Sequence, residues 1–300
     1  MNLFITGASG FIGGSLARYL VDRGHAVRGL IRNPDKVEPL TALGITPVLG
    51  DLDDAALLAR EAGIAEAAIN AADSDHQGAV DTLLGVLAGT GKRLVHTSGS
   101  SVVGDDARGD YTADMIYEDD DVFVPMAIRR DRVAINTQIR AAATTHDVRA
   151  TVIAPAMIYG EALGLPAESD QLPKLVRKSL AVGAGVHVGA GVNRWSNVHI
   201  ADLAALYERV IETAPAGSYF YAENGENSYA EIAAVLGHAL GFKGRTQSWP
   251  AEEAIEELGD WARFALGSNS RVRARNARQA LGWQPRRVPL LDWLRAQPFA

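Results

Sequence analysis

Apolar and polar positions alternate in blocks along this chain. Short apolar runs at 3–5, 26–31, 46–49, 67–70, 93–97 and 150–153 read as strands, and stretches of helical period separate them. The first helix carries Phe11, Leu16 and Leu20 on one face and stops at Gly24; others are expected around 53–62, 77–90 and 126–145. Strands that take turns with helices predict a parallel sheet covered on both faces, because each crossover between parallel neighbours needs a bridging element. No repeat or low-complexity linker interrupts the series, so the first ~155 residues read as one doubly wound α/β domain. Beyond Pro155, glycine and proline become frequent and the alternation fades. A smaller C-terminal lobe is expected there.

The junction between the first strand and its helix is Thr6-Gly-Ala-Ser-Gly-Phe-Ile-Gly13. Gly7 and Gly10 permit a tight turn and close approach to a pyrophosphate, and Gly13 lets the helix lie flat against the strand. Phosphates would sit over free N–H groups at the helix start, where the partial positive charge favours an anion by roughly 0.3–2 kcal/mol. Ser9, Phe11 and Ile12 complete this cofactor-binding turn. The Gly-x-x-Gly-x-x-Gly spacing, set between a strand and an amphipathic helix, strongly resembles the opening of the extended short-chain dehydrogenase/reductase family, the NAD-dependent epimerase/dehydratase group.

That resemblance implies a Rossmann domain with a smaller C-terminal substrate lobe. The segment from Trp195 to Ala204 resembles the family's return to the nucleotide domain, and Leu281-Gly-Trp-Gln-Pro285 its C-terminal signature. The implied division is 1–158 plus about 195–215 for the NAD(P)-binding domain, and about 159–194 plus 216–300 for the lobe. Asp51-Leu52 matches the family's adenine-contacting pair, Asn70-Ala71-Ala72 its small-residue turn beneath the adenosine ribose and nicotinamide end, and Thr97 and Pro155 fall in matched strand-end segments.

NAD-binding domains usually place an acid at the end of the second strand to bond the ribose 2′-hydroxyl. Here that end reads Gly29-Leu-Ile-Arg-Asn33. An arginine pairs with a 2′-phosphate and stacks on adenine, so Arg32 predicts NADP(H) in preference to NAD(H). Lys36 could help hold that phosphate, though it reads more simply as a surface lysine.

Typical family members use a Ser or Thr after the fifth strand and a Tyr-x-x-x-Lys pair on the next helix. The tyrosine exchanges a proton with the substrate oxygen, and the lysine lowers its pKa. This chain has no Tyr-x-x-x-Lys. Alignment on Gly104 puts Gly99 at the Ser/Thr position, between Ser98 and Ser100, and Ile128 and Arg132 at the tyrosine and lysine. Isoleucine cannot donate a proton and arginine does not relay one, though Arg132 could hold the nicotinamide ribose. The departure resembles atypical subgroups of the family. Ser98, Arg132 and Tyr159, which precedes Gly160 in the segment matched to the nicotinamide face, are the candidate catalytic residues. Tyr159 could equally pack the lobe junction. Tyr111 and Tyr117 are candidate lid residues in the acidic loop 105–121.

A net charge of −7 argues against a nucleic-acid surface. The basic run at 271–278 reads as a solvated helix face, or, by the family resemblance, as a substrate-anion contact. With no cysteine and seven scattered histidines, no metal site is expected. His199 and Asp202 read as a local backbone partner and a helix-start charge, and His76 as solvated or in contact with substrate. No apolar run reaches the ~18 residues of a membrane span, so a cytoplasmic protein acting on a small molecule is expected. Val80, Leu83, Leu84, Leu87, Val133 and Ile139 give two helices an apolar stripe to bury, either in a homodimer like the family's four-helix bundle or against the sheet. Three functions fit: reductase of a small carbonyl-type substrate, sugar-nucleotide-type epimerase or dehydratase, and non-catalytic NADP sensor.

Overall fold

The computed structural model describes residues 1–299. Its strands are β1 (Asn2–Thr6), β2 (Ala26–Ile31), β3 (Ile45–Leu49), β4 (Ala67–Asn70), β5 (Arg93–Thr97), β6 (Tyr117–Glu118), β7 (Arg149–Pro155), β8 (Met157–Tyr159), β9 (Gly185–Val188), β10 (Arg194–His199), β11 (Tyr219–Ala222), β12 (Glu226–Ser228), β13 (Thr246–Trp249) and β14 (Val272–Arg273). Seven of them form one sheet in the order β11-β7-β5-β4-β1-β2-β3, and every pairing in it is parallel. The order reverses between β1 and β4, and the crevice for a dinucleotide opens at that point.

The helices are α1 (Phe11–Val21), α2 (Val37–Ala42), α3 (Ala55–Ile64), α4 (Gln77–Leu87), α5 (Arg130–Thr145), α6 (Gln171–Val182), α7 (Ile200–Thr213), α8 (Tyr229–Ala239), α9 (Ala251–Leu258), α10 (Asp260–Ala265), α11 (Arg275–Leu281) and α12 (Leu290–Arg295). On the sheet α1 packs beside α7, while α3, α4 and α5 form a second row. Strands buried on both sides, such as Ala67–Asn70 and Arg93–Thr97, show no in–out alternation, as a sheet covered on two faces requires. A separate core joins α6, α8, β9 and α12 through Leu172, Leu175, Val186, Leu236 and Leu290. Among the described residues no helix is long and apolar enough to cross a membrane.

Two expectations need correction. The sheet takes a seventh strand, β11, in register with β7 from Tyr219 opposite Val152 to Ala222 opposite Pro155. The same core includes Val272, Ala277, Leu281 and Trp283, so parts of 216–300 belong to the nucleotide-binding half. A four-residue strand set among polar residues carries too little periodicity to be seen in the sequence. The stripe offered for dimerisation is also engaged within the chain, since Val80, Leu83, Leu84, Leu87 and Ile139 are no more than 2 % exposed. The outer faces of α4 and α5 instead present a polar network in which Gln77 and Gln138 both donate to Asp81 Oδ1, each at 2.7 Å.

Candidate active site

Two glycines of the turn between β1 and α1 leave no room for a side chain. Gly7 has φ +71, and a Cβ there would lie 2.8 Å from Ala72 Cα. On Gly13 a Cβ would lie 2.4 Å from Gly7 O, far inside contact distance, so helix and strand can approach this closely only with glycine. Gly10 caps α1 without a side chain, and the first turn carries no acid. The N–H groups opening the helix therefore face outward with positive partial charge, which suits a pyrophosphate. Phe11 and Ile12 pack their side chains on the core and can serve an anion only through the backbone.

Beneath this turn lies a buried polar chain. Thr6 Oγ1 donates to Asn70 Oδ1 at 2.7 Å and accepts from the N–H groups of Ala71 (3.0 Å) and Ala72 (3.2 Å). Asn70 Nδ2 lies 3.2 Å from His96 Nδ1. Burial pushes His96 down to about 4, so at neutral pH it is uncharged and Nδ1 accepts from the amide. Asn70 thus fixes the β1 and β4 ends, and its side chain does not reach the crevice.

A cavity of about 390 Å³ runs over these strand ends. It brings together Gly7, Ser9, Gly10, Arg32, Asp51, Leu52, Ala71 and Ala72 from the sequence-derived set, and adds Asp53, Asp73 and His76. Arg32 is exposed and is the one Lys or Arg in this lining. The Asp51 carboxylate accepts from Asp53 N at 3.0 Å and Asp54 N at 3.2 Å, shaping the turn after β3. His76 caps α4, its Nδ1 accepting from Ala79 N at 3.0 Å. Thr97 faces elsewhere, its hydroxyl bonded to Tyr207 Oη at 2.6 Å.

A second cavity of about 370 Å³ lies between the sheet and the lobe, with Pro155 and Arg132 in its wall. Arg132 makes a two-pronged pair with Asp75, its Nε donating to Oδ1 at 2.7 Å and Nη2 to Oδ2. The guanidinium holds the Asp75 carboxyl below the usual carboxylate range. A Cβ on Gly99 would stand 3.7 Å from Arg132 Nη1, so Arg132 lies at the end of β5. Ser98 is held there by Asn136, whose Nδ2 donates to Ser98 Oγ at 2.9 Å. Ser100 is tied to Ser270 at 2.7 Å, while Ser101 lines the cavity.

Tyr159 does not reach this crevice. Its ring is fully buried against His199 and Trp293, and its hydroxyl donates to Val288 O at 2.7 Å. Burial raises its pKa strongly, so it packs the lobe junction and has no reach to a substrate proton. Ile128, at the usual tyrosine position, is exposed.

The remaining candidates are structural. His199 Nδ1 accepts from Ala201 N at 3.1 Å, and Asp202 accepts from the N–H groups of Arg286 (3.0 Å) and Arg287 (2.9 Å). The indole of Trp283 donates to Asp202 O at 3.0 Å, so the Leu281-Gly-Trp-Gln-Pro285 signature anchors the C-terminal segment to α7. The basic run is neither a free face nor directed at a ligand: Arg271 and Arg273, with Arg194, converge on Glu226 at 2.7, 3.2 and 2.8 Å, and Arg278 pairs with Glu223 at 2.5 Å. Tyr117 is fixed in β6 against β14.

Sequence reasoning missed Asp75, Ser101, Arg129, Asn136 and the aromatic wall of Trp195, Trp261 and Phe264. Arg129 and Asn136 flank Arg132 at helical spacing of three and four, a signal that was available. The aromatics come from distant segments of the lobe and left none.

The family model described as the NAD dependent epimerase/dehydratase family matches residues 3–220. Relatives include an oxidase named ucsJ from Acremonium sp (30 % identical, covering 97 % of this chain and 95 % of that one). A 2-alkyl-3-oxoalkanoate reductase from Stenotrophomonas maltophilia is 30 % identical over 75 % of this chain and 71 % of its own. Among solved structures, a dTDP-glucose 4,6-dehydratase from Bacillus anthracis in complex with NAD superposes with TM-score 0.79 at 17 % identity, covering 98 % and 94 % of the two chains. A UDP-glucose 4-epimerase from Thermotoga maritima gives 0.77 at 18 %, covering 98 % and 96 %. With the glycine turn, the reversal of strand order and the crevice in place, the chain belongs to the NAD-dependent epimerase/dehydratase family and is an enzyme of the NAD(P)-dependent oxidoreductase or epimerase-like kind.

Proposed function

We propose that this enzyme is an NADP-preferring reductase that acts on a small carbonyl substrate, or on the corresponding alcohol in reverse, held between sheet and lobe. The observation that carries the reading is Arg32, the one Lys or Arg in the lining of the strand-end cavity. Asp51, Asp53 and Asp73 share that lining, and without Arg32 they would repel a 2′-phosphate. A charge-assisted bond there is worth about 1.5–3 kcal/mol, or about tenfold or more in affinity.

When bound, the nicotinamide supplies or accepts the hydride. The chain's own residues orient and polarise the substrate. Asn136 donates to Ser98 Oγ, which leaves the serine's own O–H free to donate to the reacting oxygen. Arg132, braced by Asp75, is a fixed positive group at the end of β5 and would stabilise negative charge developing on that oxygen. Positioning with electrostatics can carry much of the rate without a strong acid. A missing general acid costs roughly 10²–10⁴ in rate, so turnover should be slow or the substrate undemanding.

The compact cavity walled by Trp195, Trp261 and Phe264, with relatives named as an oxidase and a reductase, favours net redox chemistry over sugar-nucleotide epimerisation. A panel of small aldehydes and ketones, read as loss of NADPH absorbance beside cofactor calorimetry, tests the reading. Consumption by at least one panel member is expected. NADPH binding without any turnover would replace the reductase with the sensor reading.

A further inference from the structure

The inter-lobe cavity holds one guanidinium that the protein leaves unanswered. Arg129 lines it, is 7 % exposed, and makes no side-chain hydrogen bond or ion pair among the described residues; its Nε is buried without any partner. Each of the other N–H-bearing side chains of the wall has a protein partner. Arg132 is paired with Asp75, Gln171 Nε2 donates to Tyr229 Oη and to Ala265 O, both at 2.9 Å, the Trp195 indole bonds Ser268 O at 2.8 Å, and the Trp261 indole bonds Asp170 Oδ2 at 2.7 Å. Both carboxylates of the wall are answered as well, Asp75 by Arg132 and Asp170 by Lys174.

No side chain among the described residues pairs with Arg129, so an anion entering the cavity would find its guanidinium available. A buried, unpaired charge is a standing cost to the fold, several kcal/mol for an isolated ion after relaxation, and proteins tolerate it where a partner arrives from outside. Its Cζ stands 3.9 Å from the Phe264 ring centroid, a cation–π contact that places the guanidinium in the wall before any ligand enters. Burial pushes Arg129 down to about 10, which leaves it charged at neutral pH.

We infer that Arg129 is the anchor for a carboxylate on the substrate, so that the compound held between the lobes is a small oxo acid or hydroxy acid. One unanswered positive charge matches a monoanion, and the planar fork matches a carboxylate. The aromatic walls then take the carbon chain. This deepens the reductase reading and rests on it for the reacting carbonyl, but the anion recognition stands on Arg129 alone.

Affinity separates the two. Calorimetry would compare 2-oxobutanoate, acetoacetate and 4-oxopentanoate with their methyl esters, on the protein alone and saturated with NADP⁺, where no reduction can occur. At least one acid should bind about 10- to 100-fold more tightly than its ester, the range expected of one charge-assisted pair. In Arg129→Gln that ratio should fall close to one while ester and NADP⁺ affinities hold; Arg129→Lys, which keeps the charge without the fork, should retain part of the preference. If no acid outbinds its ester on the unaltered protein, or if the preference survives in Arg129→Gln, the inference is wrong. Neither result depends on turnover, so a failed NADPH-consumption panel and a failed acid preference are told apart.

Discussion

Asn136 Nδ2 donates to Ser98 Oγ across 2.9 Å, joining α5 to the end of β5. Because the amide is the donor, the serine's proton is directed away from Asn136. Ser98→Ala should lower kcat roughly 10²-fold, the usual loss for one donor to a developing oxyanion, with NADPH affinity nearly unchanged. Asn136→Asp should mimic it, since a carboxylate would capture the serine proton. Steady-state kinetics with cofactor calorimetry check both. Tyr159→Phe is the control: it loses the bond to Val288 O, about 0.5–1.5 kcal/mol of stability, and should keep kcat within about twofold.

Arg32 should decide cofactor choice. In Arg32→Ala, NADP⁺ affinity should drop about tenfold or more, while NAD⁺ affinity changes little, because Asp51 and the glycine turn are untouched. Calorimetric titration with both nucleotides measures the ratio. An NADP preference that survives the substitution would mean that another group reads the phosphate.

Two glycines in helices should respond in opposite ways to alanine. At Gly13 the new Cβ would meet Gly7 O at 2.4 Å, and neither backbone can retreat without opening the cofactor turn. A loss of about 1–3 kcal/mol or more and of cofactor binding is expected. Gly85 lies on the solvent side of α4, where a Cβ would have nothing within 4 Å, so Gly85→Ala should gain about 0.5–1 kcal/mol from helix propensity alone. Urea unfolding of both variants tests the contrast.

Asp119 is buried while accepting from Tyr221 N at 2.6 Å and Asn276 N at 2.7 Å. Burial outweighs those bonds and pushes its carboxyl up to about 6. Between about pH 4, where the unfolded side chain titrates, and that raised value, the folded state holds the proton more tightly. Its stabilising contribution is therefore complete below about pH 4 and lost as pH rises through about 6. Relative to the parent, Asp119→Asn should be more destabilising at pH 4.5 than at pH 7.5. Denaturant unfolding at the two pH values reads the difference; an equal penalty at both would show that Asp119 titrates normally.

The sequence by itself determined the β1–α1 turn and the alternation behind it, because both are largely local: Gly7 takes a positive φ and Gly13 packs on Gly7 O, and the burial of six parallel strands is written as six apolar runs. Arg32 was readable for the same reason, as the residue that follows β2. What joined the site was not local. Arg129 and Phe264 are far apart in sequence and meet only because the lobe folds over α5, and β11 joins the sheet through register with β7, not through any strong pattern of its own. Tyr159 marks the boundary between the two kinds of information. Its neighbours in sequence placed it near the crevice, but whether its hydroxyl faced a substrate depended on the path of residues around Val288, and that path turned the side chain into the lobe junction.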